Sequence, residues 1–119
     1  MSDCLFCRMV AGEIPADVIH ETDRVFAFRD INPQAPTHVL VITKQHHRNL
    51  GELAAADPGL LAEVVSAAHH VAGQEGLVDG DTVEPGYRVV TNTGSQAGQS
   101  VDHVHLHVLG GRRMGWPPG

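Results

Sequence analysis

Basic residues, cysteines and long apolar runs are scarce in this sequence, and each shortage excludes a class of protein. Eight lysines and arginines against fourteen aspartates and glutamates give a net charge of −6, which argues against many basic contacts to a nucleic acid polymer. Two cysteines are too few for a disulfide framework. No apolar run approaches the roughly 18 residues of a membrane span. We therefore expect neither a nucleic acid polymer nor a membrane as partner.

The length and the first residues indicate one domain in a reducing compartment. A chain of 119 residues has the usual size of one domain, so we expect a single domain over 1–119 with an irregular tail over 110–119. The opening Met-Ser-Asp-Cys has neither the basic nor the apolar segment of a secretory signal. We expect a cytoplasmic protein whose two thiols stay reduced.

Short apolar segments between turn residues predict an α+β fold. Five segments rich in β-branched and aromatic residues predict strands, at 18–21, 24–29, 37–43, 87–91 and 101–109. Asp57 and Pro58 are typical of a helix start, and the apolar spacing that follows predicts one long helix ending near Gly76. A short helix fits 6–10, and the mixed segment 44–53 has room for a further helical turn. We expect an antiparallel sheet of about five strands with one long and one short helix, extended across a homodimer that covers the strand edges.

Nine histidines outnumber the eight lysines and arginines, and their placement indicates function. The run from His103 to Val108 alternates histidine with an apolar residue. Side chains two apart on a strand share a face at about 6.6 Å spacing, so His103, His105 and His107 would line one surface while the apolar residues enter the core. The plain alternative is a solvated strand face in a histidine-rich chain.

Imidazoles at alternate strand positions suit two chemistries. Several neutral imidazoles can bind a transition metal, or one imidazole can attack phosphorus while its neighbours bond the phosphate oxygens and the leaving group. An attacking ring must be neutral at one nitrogen, which requires an acceptor such as a backbone carbonyl at the other. The small residues of 92–100 offer N–H groups and hydroxyls to an anion, which favours phosphorus chemistry.

Motifs along nearly the whole chain resemble the histidine triad (HIT) family, in particular its HINT-like nucleotide phosphoramidase branch. The matching motifs lie at 13–15, 27–38, 41–44, Asn92, 98–100, 103–108 and 110–119. The resemblance implies a HIT-like sheet domain that forms a homodimer. It also implies hydrolysis of the P–N bond in purine nucleoside 5′-phosphoramidates, such as AMP linked to ammonia or to a lysine amine, with AMP or GMP as the bound nucleotide.

The resemblance also implies roles for single residues. His105 would be the nucleophile that becomes transiently nucleotidylated, and the other catalytic positions would be His103, His107, His38 and Ser100. Asp30 would hold the ribose hydroxyls, although a turn residue before Asn32-Pro33 is the simpler interpretation of this aspartate. The remaining substrate-binding positions would be Ile14, Phe28, Arg29, Ile31, Asn92, Gly98, Gln99, Ser100 and Trp116. Trp116 would lie near the partner subunit's active site, and catalysis would need no cofactor.

Cys4 and Cys7 have the two-residue spacing of zinc ligands, which supplies half of a site. By the resemblance, His46 and His103 would complete it. A structural zinc would then tether the N-terminal segment to the sheet. Two reduced, partly buried thiols and a redox pair are the alternatives.

Two other functions stay open on the sequence alone. A metal-dependent hydrolase would use the three histidines as ligands, although a tetrahedral ion prefers two ligands from one strand and others from elsewhere. A non-catalytic nucleotide-binding dimer would use the same pocket for regulation. Exhaustive chelation tests the first alternative, and an acid-labile nucleotidyl adduct at His105 tests the second.

Overall fold

A five-stranded antiparallel sheet organises residues 3–119, the part of the chain that the computed structural model describes. The strands are β1 (Val18–Glu21), β2 (Val25–Arg29), β3 (Thr37–Thr43), β4 (Tyr87–Val90) and β5 (His105–Gly110). Their order is β1-β2-β3-β5-β4, so the last strand in sequence lies inside the sheet. The predicted α+β fold with about five antiparallel strands is confirmed.

Three helices accompany the sheet: α1 (Leu5–Val10), α2 (Leu50–Ala56) and α3 (Pro58–Gln74). Asp57 caps α3 by accepting a hydrogen bond from the Leu60 N–H at 3.0 Å, and Pro58 occupies the first turn, as the sequence predicted. The prediction counted one short helix, and the structure has two. The second short helix starts because the Asn49 side chain accepts from the Glu52 N–H at 2.9 Å.

The two faces of the sheet have different coverings. On one face, α3 packs against Val25, Ala27, Val39 and Val41, which belong to the larger apolar core. On the other face, Phe6 of α1 packs against a second group, consisting of Phe26, Phe28, Leu40 and Ile42. Because alternate residues of a strand point to opposite faces, β2 and β3 supply both groups. Every residue of β3 is buried, as expected for a strand covered on both sides.

Strand β5 begins at His105, so the prediction that it begins at residue 101 is wrong. Strand β3 pairs Ile42 with His105 and ends at Thr43, which leaves the earlier residues without a strand to pair with. The Val104 N–H instead donates to the His47 carbonyl at 2.7 Å. His103 therefore precedes the strand, and only His105 and His107 share its face. Their apolar neighbours enter the core as predicted.

The tail after β5 contains no helix or strand among the described residues. The Arg88 guanidinium donates to the Gly115 carbonyl at 3.0 Å, while the Trp116 ring is 83% exposed. Residues 79–84 form an exposed loop. Among residues 3–119, no helix combines the length and the apolar character needed to cross a bilayer.

Candidate functional site

A cavity of about 270 Å³ opens on the sheet face that carries α1. Seven of the predicted site residues line it: Ile14, Phe28, Asp30, Ile31, Ser100, His105 and His107. Six further lining residues were not predicted: Leu5, Phe6, Met9, Pro15, Leu40 and Val101. Apolar walls with a few polar groups at one end are typical of a small-molecule site.

The lining residues that the sequence did not predict come mainly from α1. Leu5, Phe6 and Met9 stand at spacings of one and three residues, which place them on neighbouring faces of a short helix. The sequence contained this signal, since a helix was expected at 6–10. Nothing in the sequence stated that this helix covers the second face of the sheet.

The His105 ring is held in one tautomer by the backbone. Its Nδ1 lies 2.7 Å from the His103 carbonyl oxygen, and a carbonyl only accepts, so Nδ1 carries the proton. The other nitrogen, Nε2, then keeps its lone pair, as a neutral nucleophile requires. The ring is 5% exposed, and the edge contact of Phe6 at a centroid distance of 5.1 Å fixes its plane.

A chain of hydrogen bonds sets the tautomers of His38 and His107. The Gln34 N–H donates to His38 Nδ1 at 3.0 Å, so the proton of His38 is on Nε2. That Nε2 donates to His107 Nδ1 at 2.9 Å, which puts the proton of His107 on its own Nε2. This last N–H is buried and has no partner among the described residues. The chain therefore presents a donor suited to an anionic oxygen.

Burial keeps these imidazoles neutral. The pKa of His107 is lowered to about 4, first by burial and then by the nearby rings of His105 and His38, against the opposing effect of Asp30. Burial also lowers the pKa of His38, again opposed by the Asp30 carboxylate, which lies 3.5 Å from His38 Nε2. At neutral pH the pair donates hydrogen bonds without carrying charge.

Asp30 closes a turn and also lines the cavity. Its Oδ1 accepts from the Asn32 N–H at 2.8 Å, which closes the turn before Pro33. The same side chain lines the cavity and is 20% exposed. A carboxylate has about four acceptor sites, so the turn leaves capacity for two vicinal hydroxyls.

The loop 92–100 is held through Gln99. Its Oε1 accepts from the Gly94 N–H at 3.0 Å, and its Nε2 donates to the Arg48 carbonyl at 2.7 Å and the Val101 carbonyl at 3.2 Å. Gly98, at a φ of 86°, closes a turn that is costly for other residues. Asn92 at the loop start is half-buried. Of this loop, Ser100 alone is among the residues that line the cavity.

Arg29 is not among the residues that line the cavity, and its role around a base stays a prediction. Strand alternation sends Phe28 to the cavity and Arg29 to the α3 face. There the guanidinium pairs with Glu75 at 2.6 Å and lies 3.7 Å from Asp17. The hydrogen bonds from Arg29 lower the pKa of Glu75. Arg29 therefore ties β2 to the end of α3.

A second cluster lies beside the cavity and unites Cys4, Cys7, His46 and His103. The ligand atoms of all four residues lie within 4.8 Å of one another. His103 Nδ1 is 3.3 Å from Cys4 Sγ and 3.5 Å from Cys7 Sγ, and His46 Nδ1 is 3.4 Å from Cys7 Sγ. The structure thus brings together the four residues that the sequence analysis combined.

The donor set of this cluster fits zinc. Two cysteine sulfurs and two imidazole nitrogens make up the S₂N₂ donor set that tetrahedral structural zinc sites use. His103 is fully buried, and its Nε2 donates to the Thr43 carbonyl at 2.7 Å, which leaves the Nδ1 lone pair facing the sulfurs. Burial, as the largest cause, lowers the pKa of His103 to about 4. The ring is therefore neutral, as a metal ligand must be.

Asp30, His38 and His107 also place ligand atoms within 4.8 Å of one another. Here, however, a proton already bridges the two rings at 2.9 Å. A metal between them would have to displace that proton and break the tautomer chain from Gln34. The set is better suited to donating hydrogen bonds than to ligation.

Comparison with known proteins places this geometry in a family. A sequence model described as the HIT domain matches residues 11–114. The crystal structure of a HIT family hydrolase from Legionella pneumophila Philadelphia 1 superposes with a TM-score of 0.90 at 50% identity, covering 98% of this chain and 100% of that chain. The 14 kDa zinc-binding protein of Zea mays is 48% identical, over 99% of this chain and 89% of the relative. The crystal structure of a histidine triad nucleotide-binding protein from Candida albicans has a TM-score of 0.82 at 34% identity, over 97% and 83% of the two chains.

Proposed function

The chain belongs to the HIT domain family, and on that premise we propose that it hydrolyses the P–N bond of purine nucleoside 5′-phosphoramidates. The observation that carries the proposal is the hydrogen bond from His105 Nδ1 to the His103 carbonyl. It leaves the Nε2 lone pair of a neutral, buried ring beside a cavity with a prepared N–H donor. Nucleophilic attack on phosphorus needs both groups.

The reaction follows from these two groups. His105 Nε2 attacks phosphorus, a P–N bond to the ring forms, and the P–N bond to the leaving amine breaks. The ring becomes a cation whose Nδ1–H keeps its bond to the His103 carbonyl. His107 Nε2–H donates to a phosphoryl oxygen, and Ser100 lies at the cavity to hydrogen-bond the amine, which leaves with a proton from solvent. Water then cleaves the nucleotidyl intermediate, releases the nucleoside monophosphate and a proton, and restores His105.

The walls of the cavity support a nucleoside as the bound part of the substrate. Phe28, Ile14 and Asp30 all line it, so a purine can pack on apolar surface while the carboxylate accepts from the ribose hydroxyls. A histidine triad protein with a similar structure is named as nucleotide-binding. AMP or GMP fits this arrangement of apolar wall, carboxylate and N–H donor.

We also propose a homodimer in which the sheets continue across β4. Strand β4 pairs only with β5 among the described residues, and Val89 on it and Val65 on α3 are 42% and 53% exposed. A second copy would cover both the open edge and this apolar surface. The tail with Trp116 would then lie near the partner subunit's active site. Sedimentation at micromolar concentration tests the dimer, and a 12.7 kDa species would contradict it.

The cluster of Cys4, Cys7, His46 and His103 is proposed to hold a structural zinc ion. The donor set and the fixed tautomer of His103 support this assignment, as does the name of the maize relative. The ion would supply cross-linking of the N-terminal segment to the rest of the fold. Metal analysis of protein purified without chelator should give about one zinc per chain.

The decisive experiment mixes the protein with a lysine-linked adenylate and follows intact mass. We expect release of AMP and a transient, acid-labile adenylyl adduct that His105→Gly abolishes. Binding of AMP without release or adduct would instead support the non-catalytic dimer. The metal-dependent hydrolase would be supported by two results together. Turnover would fall in direct proportion to metal content as zinc is removed, and no adduct would form at any time.

A further inference from the structure

Helix α1 belongs to both sites at once. Its flanks and interior supply two metal-cluster residues, Cys4 and Cys7. The residues between and just after them, Leu5, Phe6 and Met9, form a wall of the nucleotide cavity. The cluster and the cavity therefore share one six-residue element, which lies outside the region matched by the family model.

Phe6 is the side chain that joins the two sites. It is 4% exposed and contacts His105 edge-on, with centroids 5.1 Å apart and planes at 89°. The same ring contacts His103 at 5.9 Å and Phe28 at 5.5 Å, both at 71°. A displacement of Phe6 would therefore remove packing from the nucleophile, from a cluster histidine and from the base-side wall together.

His103 forms a second connection through its backbone. Its Nδ1 faces the two sulfurs, while its carbonyl oxygen accepts the Nδ1 proton of His105 at 2.7 Å. The residue lies before β5 and has no ladder partner of its own. Its carbonyl belongs to the same peptide unit as the Val104 N–H, which donates to the His47 carbonyl at 2.7 Å, so this bond and the contacts of the His103 side chain together position it.

Helix α1 is held to the fold by packing and by the cluster. A helix of six residues is not stable on its own, and the ion pair of Arg8 with Glu13 at 3.8 Å is exposed and contributes little. Met9 and Val10 pack, partly buried, against the same apolar group as Phe6, so this packing and the cluster ligands anchor the helix.

Resting on the proposed function, we propose that the metal cluster is a positioning device for the nucleotide site. In the loaded protein, Cys4 and Cys7 hold α1 so that Phe6 closes the cavity and packs on His105, and His103 holds the carbonyl that fixes the His105 tautomer. Nucleotide affinity and nucleophile orientation then depend on zinc, although no zinc ligand contacts the reacting atoms. Cys4, Cys7 and Phe6 act as positioning residues.

The first test compares zinc-loaded and zinc-stripped protein without using turnover. Calorimetry with AMP should show a dissociation constant higher by about tenfold or more after stripping, equivalent to about 1.4 kcal/mol. Long-range ¹H–¹⁵N spectra should show a single Nδ1–H tautomer of His105 in the loaded protein and a mixture in the stripped protein. Unchanged affinity together with an unchanged tautomer would overturn the proposal.

The second test leaves the metal in place and changes Phe6. Phe6→Ala in zinc-loaded protein should weaken AMP binding and lower kcat, and Phe6→Leu, which refills most of the space, should recover most of both. Val71→Ala is the matched control, because it opens the core on the other face of the sheet and lowers stability without touching α1. If the zinc-stripped protein unfolds, these variants of the loaded protein test the proposal on their own. Equal effects of Phe6→Ala and Val71→Ala on the affinity for AMP would contradict it.

The two proposals fail in different ways. Zinc-dependent AMP affinity with no adduct and no turnover in the loaded protein would remove the enzymatic function and leave the positioning role intact. The positioning role would be excluded, and the enzymatic function retained, by a different set of results. The loaded protein would show full turnover, while neither zinc removal nor Phe6→Ala would change the AMP affinity or the His105 tautomer.

Discussion

The two faces of the sheet are built from alternate residues of the same strands, and they differ in residue type and in how completely they are covered. The α3 face is a continuous apolar layer in which Val39, Val41, Leu60 and Val71 are fully buried. The α1 face holds aromatic and imidazole rings around a cavity. A long helix covers one face and a six-residue helix covers part of the other. The larger apolar core lies where covering is complete, and the proposed chemistry lies where it is incomplete.

The sharpest way to test this division is to remove the nucleophile. His105→Gly should lower turnover by about 10³-fold or more, as loss of a group that forms the covalent intermediate does. The free energy of unfolding should change far less, because the deleted ring borders a cavity. Rate measurements beside urea melts check both halves. Retention of more than about a tenth of the wild-type rate would remove His105 from this role.

The converse test changes a core residue on the α3 face. Leu60 is fully buried, so Leu60→Ala should lower the free energy of unfolding by about 2–5 kcal/mol. The kcat per folded molecule should stay near the wild-type value. Urea denaturation and active-site titration measure the two quantities. A loss of kcat in fully folded protein would show that the faces are not separable.

Asp30→Ala sharpens the comparison within the cavity. Loss of a charge-assisted hydrogen bond costs about 1.5–3 kcal/mol, so the Kd for AMP should rise by about ten- to a hundredfold. Asp30→Asn retains the turn acceptor and serves as control for the hydrogen bond to Asn32. The wild type should also prefer ribonucleotides over dideoxyribonucleotides. Equal affinity for both would show that Asp30 does not bind the ribose.

The α1 face should also be the pH-sensitive one. The pKa of His107 is lowered to about 4, so between that pH and the ordinary value near 6.5 the unfolded chain binds the extra proton. Stability is then complete above about pH 6.5 and is lost as pH falls toward 4. Urea midpoints across this range measure the slope. His107→Gln, which does not titrate, should make the slope shallower, while His103 and His38, whose pKa values are also lowered, keep their contributions. An equally steep slope would exclude a contribution from His107.

Arg29→Ala should have the smallest effect. The ion pairs of Arg29 with Glu75 and Asp17 are partly exposed, so the loss of stability should be about 1 kcal/mol or less. AMP affinity should be unchanged, because the side chain lies on the α3 face. Calorimetry measures the AMP affinity of Arg29→Ala, with Asp30→Ala as the positive control. Weaker AMP binding by Arg29→Ala would support the role that the sequence suggested.

The sequence predicted the strands well because their signals are local. The bounds of β3 are those predicted. Its signal is an apolar, β-branched run between a proline-containing loop and a lysine, and this signal lies within seven residues. The start of β5 was missed because it depends on where β3 ends, a long-range fact. The position of Arg29 on the α3 face was not predicted, because a motif gives proximity in sequence and not the face of a strand.

For the site, residue types were readable from the sequence and protonation was not. His105 and Asp30 stand out in their motifs, yet the tautomer of each histidine is decided by partners far along the chain, such as Thr43 for His103. The contribution of α1 to the cavity was likewise invisible, because nothing local tells a short apolar helix where to dock. Such facts require the folded backbone.

The position of β5 inside the sheet affects how the molecule assembles. It is the last strand in sequence, yet it joins β3 to β4 and pairs His105 with Ile42, a residue far upstream. During synthesis, the β5-facing edge of β3 stays open until residues 105–110 have emerged, and closing that long loop is a slow step. The segment that closes the sheet also carries His105 and His107, so the histidines proposed for the chemistry reach their positions when the sheet closes.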